Sequence, residues 1–110
     1  MKLVFMYRPT DDLAKAVDVH RDQLGLDEAW REIDDTVAFP CRPDRSVQMM
    51  LSATQQPAGP MYSVNDVDMW IGEHPDVAVA VDKFEVPGGF VVGLTAPGNN
   101  IFDIFDQHDD

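Results

Sequence analysis

A single cysteine, Cys41, stands among 110 residues. It has no partner for an internal disulfide, and no neighbouring base marks it as a nucleophile, so it reads as a strand residue near a turn. Basic residues are also scarce, with 8 Lys and Arg against 20 Asp and Glu and a formal charge of −12. That balance excludes nucleic acid and anionic membrane surfaces as partners, because neutralising phosphates needs the opposite sign. No apolar run approaches the ~20 residues of a membrane span. The opening MKLVFMYRPT is too short an apolar run for a signal peptide and is interrupted by Pro9. A cytoplasmic protein with neutral or cationic small-molecule partners is therefore expected, with no nucleic acid and no membrane. Phosphate-cradling glycine loops, nucleophile elbows and paired-carboxylate motifs are absent as well.

What the sequence does contain is a repeat. PDRSVQMML at Pro43 to Leu51 is answered by PGNNIFDIF at Pro97 to Phe105, an offset of 54 residues. At the same offset Asp12 falls on Asp66, His20 on His74, Asp22 on Asp76 and Val37 on Val91. Self-similarity at a fixed period outranks local propensity as a signal of architecture.

Lys2 to Arg8 is apolar on both parities and reads as a strand covered on both faces. Thr10 is placed to cap a helix, with Asp11 and Asp12 in its first turn; Leu13, Val17, His20 and Leu24 form its inward stripe and Gly25 stops it. Ala29 to Ile33 and Thr36 to Cys41 read as strands around an Asp34-Asp35 turn, and Ser46 to Ser52 as a third strand. The second half repeats the order: strand Met61 to Val64, a helix starting near the cap-forming Asn65 with Val67, Trp70 and Ile71 inward, and a break at Pro75. Strands Lys83 to Val86, Phe90 to Thr95 and Asn100 to Asp106 follow around a Gly88-Gly89 turn, with a polar tail beyond. The Pro/Gly-rich stretch Ala53 to Pro60 joins the halves. The expected fold class is α+β: two tandem βαβββ modules, residues 1–52 and 61–110 around linker 53–60. They would form one domain, a curved, incomplete mixed-sheet barrel with helices on the convex side and a ligand face on the concave side.

With this module order, DLAKAVDVHRDQLGL and FVVGLTAPGNNIFDIFDQ resemble the helix and C-terminal motifs of the vicinal oxygen chelate superfamily, which includes glyoxalase I, bleomycin-resistance proteins and extradiol dioxygenases. Leu24-Gly25-Leu26, Pro97, Asn99 and Ile101 match, whereas Ala96 and Gly98 replace the usual aspartates. The resemblance implies that metal-using members draw His or Glu ligands from the first and last strands of each module. Those positions fall here on Phe5, on Gly59 or Met61, on Met49 and on Asp103. One carboxylate among apolar residues is not a divalent-metal donor set, so neither a metal nor another cofactor is expected.

Strand alternation places Ile101 and Phe105 beside Asp103, with Val47, Met49 and Leu51 at the equivalent sites of the other module and Leu3, Phe5 and Tyr7 facing the same way. The candidate ligand-binding set is therefore Phe5, Tyr7, Val47, Met49, Leu51, Ile101, Asp103 and Phe105. The same residues can be read as interior core. Asp103 is the candidate catalytic residue, as a desolvated carboxylate that anchors a cation or acts as a base; hydrogen bonding to Tyr7 is the structural alternative. Trp30 and Trp70 read as packing or interface residues. Two functions stay open: a metal-free homodimeric ligand-binding protein resembling the bleomycin-resistance proteins, and an isomerase, lyase or dioxygenase, metal-dependent or using Asp103 as general base.

Overall fold

The computed structural model describes residues 1–32, 35–54 and 56–108. Ile33, Asp34, Gln55, Asp109 and Asp110 lie outside the described residues, and with them part of the expected Asp34-Asp35 turn, of the linker and of the tail. The fold is α+β, and it divides into two compact units, one of Phe5–Ala58 and one of Met1–Val4 with Gly59–Asp110.

In the first unit, β1 (Lys2–Pro9, belonging here from Phe5 onward) precedes α1 (Leu13–Asp18), which widens into a π-helical turn at Val19–Gln23. Strands β2 (Trp30–Glu32), β3 (Thr36–Pro40) and β4 (Gln48–Ser52) follow, in the order β2-β3-β4-β1. Neighbours are antiparallel except β4 and β1, which run parallel with Tyr7 opposite Met50. The cap of α1 is Asp12 rather than Thr10: its carboxylate accepts the Lys15 amide at 3.1 Å, while Thr10 Oγ1 accepts the Asp12 amide one step earlier. Val17 packs on Val37, Phe39 and Leu51, and His20 stacks on Phe39 at 5.5 Å. There the inward stripe ends. The amide of Leu24 donates to the carbonyl of Val19, five residues back, and this wider turn rotates Leu24 outward to 60 % exposure. Gly25 follows at φ +70°, the left-handed conformation that stops a helix.

The second unit repeats the order. β5 (Gly59–Ser63), α2 (Val67–Glu73), β6 (Ala78–Val86), β7 (Gly89–Ala96) and β8 (Asn100–Phe105) give β5-β8-β7-β6, with β5 and β8 parallel. Asp66, not Asn65, caps α2, accepting the Met69 amide at 2.9 Å. Val67 packs on Val92, Leu94 and Ile104, with Tyr62, Trp70, Ile71 and Phe102 around them. β6 is longer than the expected Lys83 to Val86, because two register irregularities let it continue pairing with β7 back to Ala78.

Cross-strand pairing corrects the repeat by single residues. Tyr7 lies opposite Met50 and Met61 opposite Asp103, so the first strands match at an offset of 54 and the last at 53. Val37 opposes Leu51 and Val92 opposes Ile104, so β3 and β7 match at 55. Two loops of unequal length produce the slips, the larger being the β3–β4 loop, where Pro40 pairs with Gln48 against a tight Thr95–Ile101 turn in β7–β8.

Candidate functional site

Because side chains alternate along a strand, a slip of one residue moves a whole strand's set to the other face. β4 shows this. Met49 and Leu51 pack against Val17, Val37 and Phe39 on the helix face. The opposite face of the first unit carries Phe5 and Tyr7, aligned with Gln48 and Met50. The structure therefore brings Phe5 and Tyr7 together, but not with Met49 and Leu51. Val47 lies in the loop ahead of β4, where its carbonyl accepts the Cys41 amide at 2.8 Å.

On that opposite face Trp30 packs edge-on to Phe5, ring centres 5.9 Å apart, and its indole N–H donates to Gln48 Oε1 at 2.7 Å. The Tyr7 hydroxyl donates to the Thr54 carbonyl at 2.6 Å and lies 2.7 Å from Thr54 Oγ1. From there hydroxyls continue through Ser52 at 2.6 Å to Thr36 at 3.1 Å, whose hydroxyl donates to Asp35. The polar side chains of this face form a hydrogen-bonded chain.

In the second unit Ile101, Asp103 and Phe105 share the face of β8 turned away from α2, since Phe102 and Ile104 belong to the helix-side core. Asp103 stands between Met61 on β5 and Gly93 on β7. It is 7 % exposed, and burial pushes its carboxyl up from 3.8 to about 6. Among the described residues no side chain or amide donates a hydrogen bond to it, so nothing there offsets the cost of its burial. Neither oxygen is wholly sealed from solvent while lacking a partner. Gly93 makes the placement possible: a Cβ there would lie 2.8 Å from Val81 Cβ and 3.2 Å from Asp103 Oδ1. Gly59, for its part, lets β5 approach β8, since its Cβ would stand 2.5 Å from the Ile101 carbonyl oxygen.

A second buried carboxylate, Asp106, is a structural fastener. One oxygen accepts the Val67 amide at 2.8 Å and the other the Phe90 amide at 2.9 Å. Sequence reasoning passed over Asp106, Gly93 and the Trp30–Gln48 pair. No local signal marks Gly93, because cross-strand partners are not written in local sequence. His20 and His74 donate through Nδ1 to carbonyls four residues back, Ala16 at 2.8 Å and Trp70 at 2.7 Å, and both stack on aromatic rings. Cys41 is free and exposed.

No protein-family model and no curated protein matches the sequence. Solved structures do. A protein named as an NAD-dependent benzaldehyde dehydrogenase from Legionella pneumophila aligns with a TM-score of 0.72 at 12% identity, over 94% of this chain and 97% of that one. A glyoxalase/bleomycin resistance protein/dioxygenase superfamily member from Vibrio splendidus 12B01 aligns at 0.64 and 14% identity, over 96% and 98%. A methylmalonyl-CoA epimerase aligns at 0.64 and 13% identity, over 99% and 97%. The chain carries the glyoxalase/bleomycin resistance/dioxygenase superfamily fold.

At such identities the likeness is one of fold, so function rests on the side chains. The positions from which the superfamily resemblance draws metal ligands hold Phe5 and Met50 in the first unit and Gly59 and Asp103 in the second, Met50 replacing the expected Met49 once the slip is counted. Met61, the alternative to Gly59, is equally without a hard donor. A phenyl ring, a thioether, a glycine and one carboxylate do not fit a divalent ion that wants about three N/O donors. Among the described residues no three His, Cys, Asp or Glu side chains converge anywhere else. No helix among them is long and apolar enough to cross a membrane.

Proposed function

We propose that this chain is a small-molecule-binding protein of the glyoxalase/bleomycin-resistance type, taking an apolar or cationic aromatic ligand on the face of Asp103 without a protein-held metal ion. One observation carries the reading: a carboxylate 7 % exposed, with no hydrogen-bond donor among the described residues, in the middle of an apolar sheet face. An ionised group so placed is destabilising unless something outside the protein satisfies it. The overall charge of −12 favours the approach of cations. Calorimetric titration at pH 7.5 with cationic aromatics found by thermal-shift screening tests this. Asp103→Asn is expected to abolish binding, and unchanged affinity would remove Asp103 from the site. Stoichiometric zinc, nickel, manganese or iron in the purified protein would reject the metal-free part.

A second reading has its own support. A carboxylate raised to about 6 is ionised at neutral pH yet basic enough to accept a proton from carbon, as a general base in an isomerase or lyase does. Exchange of solvent deuterium into carbon acids, followed by NMR with the parent protein and Asp103→Asn, tests it; equal exchange by both rules it out. In both readings the two units act as modules of one cytoplasmic, homodimeric protein, and sedimentation equilibrium checks the dimer.

A further inference from the structure

An ionised carboxylate has room for about four hydrogen bonds on its two oxygens. Asp103 receives none from the described residues around it. β5 and β7, which flank it, carry no charged side chain, and Tyr62 of β5 lies in the helix-side core. On β6, Lys83 is held by Asp68 of α2 at 3.1 Å, while Asp82 and Glu85 are exposed acids. Asp106, just past β8, uses both oxygens on backbone amides, with His108 3.8 Å from one of them. Among the described residues of β5 to β8, none supplies a cation to Asp103.

Resting on the ligand-binding reading above, we infer that Asp103 recognises a protonated amine or amidine, selecting cationic ligands that carry N–H donors over quaternary ammonium and neutral analogues. The buried oxygens need donors as well as charge. A quaternary ammonium brings charge alone, and an alcohol brings one neutral donor, whereas charge-assisted hydrogen bonds are about twice as strong as neutral ones. Gly93 lets the Val81 side chain close over β7 beside the carboxylate, and Met61, Ile101 and Val81 offer hydrocarbon to the rest of the ligand. In the first unit the counterpart of Asp103 is Met50, set between Tyr7 and Ala38, so that unit has no carboxylate at this position.

The pH dependence has a definite sign. The acceptor form of Asp103 is present above about pH 6 and lost below it, while an alkylammonium stays charged across the range.

Titration calorimetry on the full chain with 2-naphthylmethylamine, its trimethylammonium analogue and 2-naphthalenemethanol tests the inference. At pH 7.5 the amine is expected to bind about tenfold or more tightly than either analogue, and Asp103→Asn to erase that advantage. Lowering the pH to 5.0 is expected to weaken amine binding to the unmutated protein about tenfold and leave the alcohol unaffected. Equal affinity for amine and quaternary ammonium, or a preference that survives Asp103→Asn or pH 5.0, would overturn it. Binding of the alcohol without any preference for the amine overturns this inference and leaves the ligand-binding reading standing. Binding of none of the three overturns both.

Discussion

The two units share strand order, an aspartate cap on each helix and a histidine bonded to the carbonyl four residues back, yet they treat buried polarity in opposite ways. In the first, Tyr7, Ser52, Thr36 and Thr54 satisfy one another in a chain of hydroxyls. In the second, the same face holds Asp103 with no donor beside it, while the neighbouring Asp106 makes two strong bonds to backbone. One unit thus pairs its polar side chains with one another, and the other holds a largely buried carboxylate with no donor among the described residues. On the ligand-binding proposal, Asp103 would be a group held for recognition at the expense of folding energy.

The largest test of this contrast is Gly89→Ala. A Cβ at Gly89 would collide with the carbonyl oxygen and Oδ1 of Asp106 and lie 2.7 Å from its carbonyl carbon, so relief requires β7 or the chain after β8 to move. Urea denaturation should show a loss of roughly 4 kcal/mol or more, with hydrogen exchange accelerated in residues 59–108 and little changed in 5–58. Asp106→Ala comes next. It strips the Val67 and Phe90 amides of their acceptor, and a loss of about 3 kcal/mol in the same assay is expected for two charge-assisted bonds.

Asp103→Asn should act in the reverse direction. Its carboxyl is raised in the folded state to about 6 from 3.8, so between those values the folded chain holds more protons than the unfolded one. The stability this group contributes is complete below about pH 4 and is lost as pH rises through 6. The asparagine variant should then be more stable at pH 7 by on the order of 1–3 kcal/mol, with a flatter stability profile between pH 4 and 6. Equal stability at pH 7, or a profile as steep as the parent's, would contradict the burial argument. The smallest effect belongs to the first unit: Tyr7→Phe removes a hydroxyl bonded to Thr54 and is expected to cost about 1 kcal/mol, without changing amine binding.

Much of this was legible in the sequence. The repeat located both helices, all the strands that pair in each unit and the carboxylate on β8, because caps, turn residues and period-2 alternation are local signals. The face of β4 was not legible. An ungapped offset of 54 puts Met49 with Asp103, but the actual offset in the last strand is 53, and one residue sends Met49 and Leu51 to the helix side. Loop length between β3 and β4 decides the register, and loops are where duplicated copies tolerate change most easily. The helix caps failed more narrowly: Thr10 and Asn65 have the right chemistry, but Asp12 and Asp66, already matched by the repeat, lie nearer the first helical turn. Leu24 was misjudged because a π-helical turn cannot be read from 3.6-residue spacing. Gly93 could be given a role only when β7 was seen to pair with β8.

The double grip of Asp106 also bears on how the chain forms during synthesis. α2 and the mouth of the β6–β7 hairpin can each take shape as they emerge, but the amides of Val67 and Phe90 gain their acceptor only after residue 106 has been made. Vectorial translation therefore leaves those two amides waiting for a single late carboxylate to latch them.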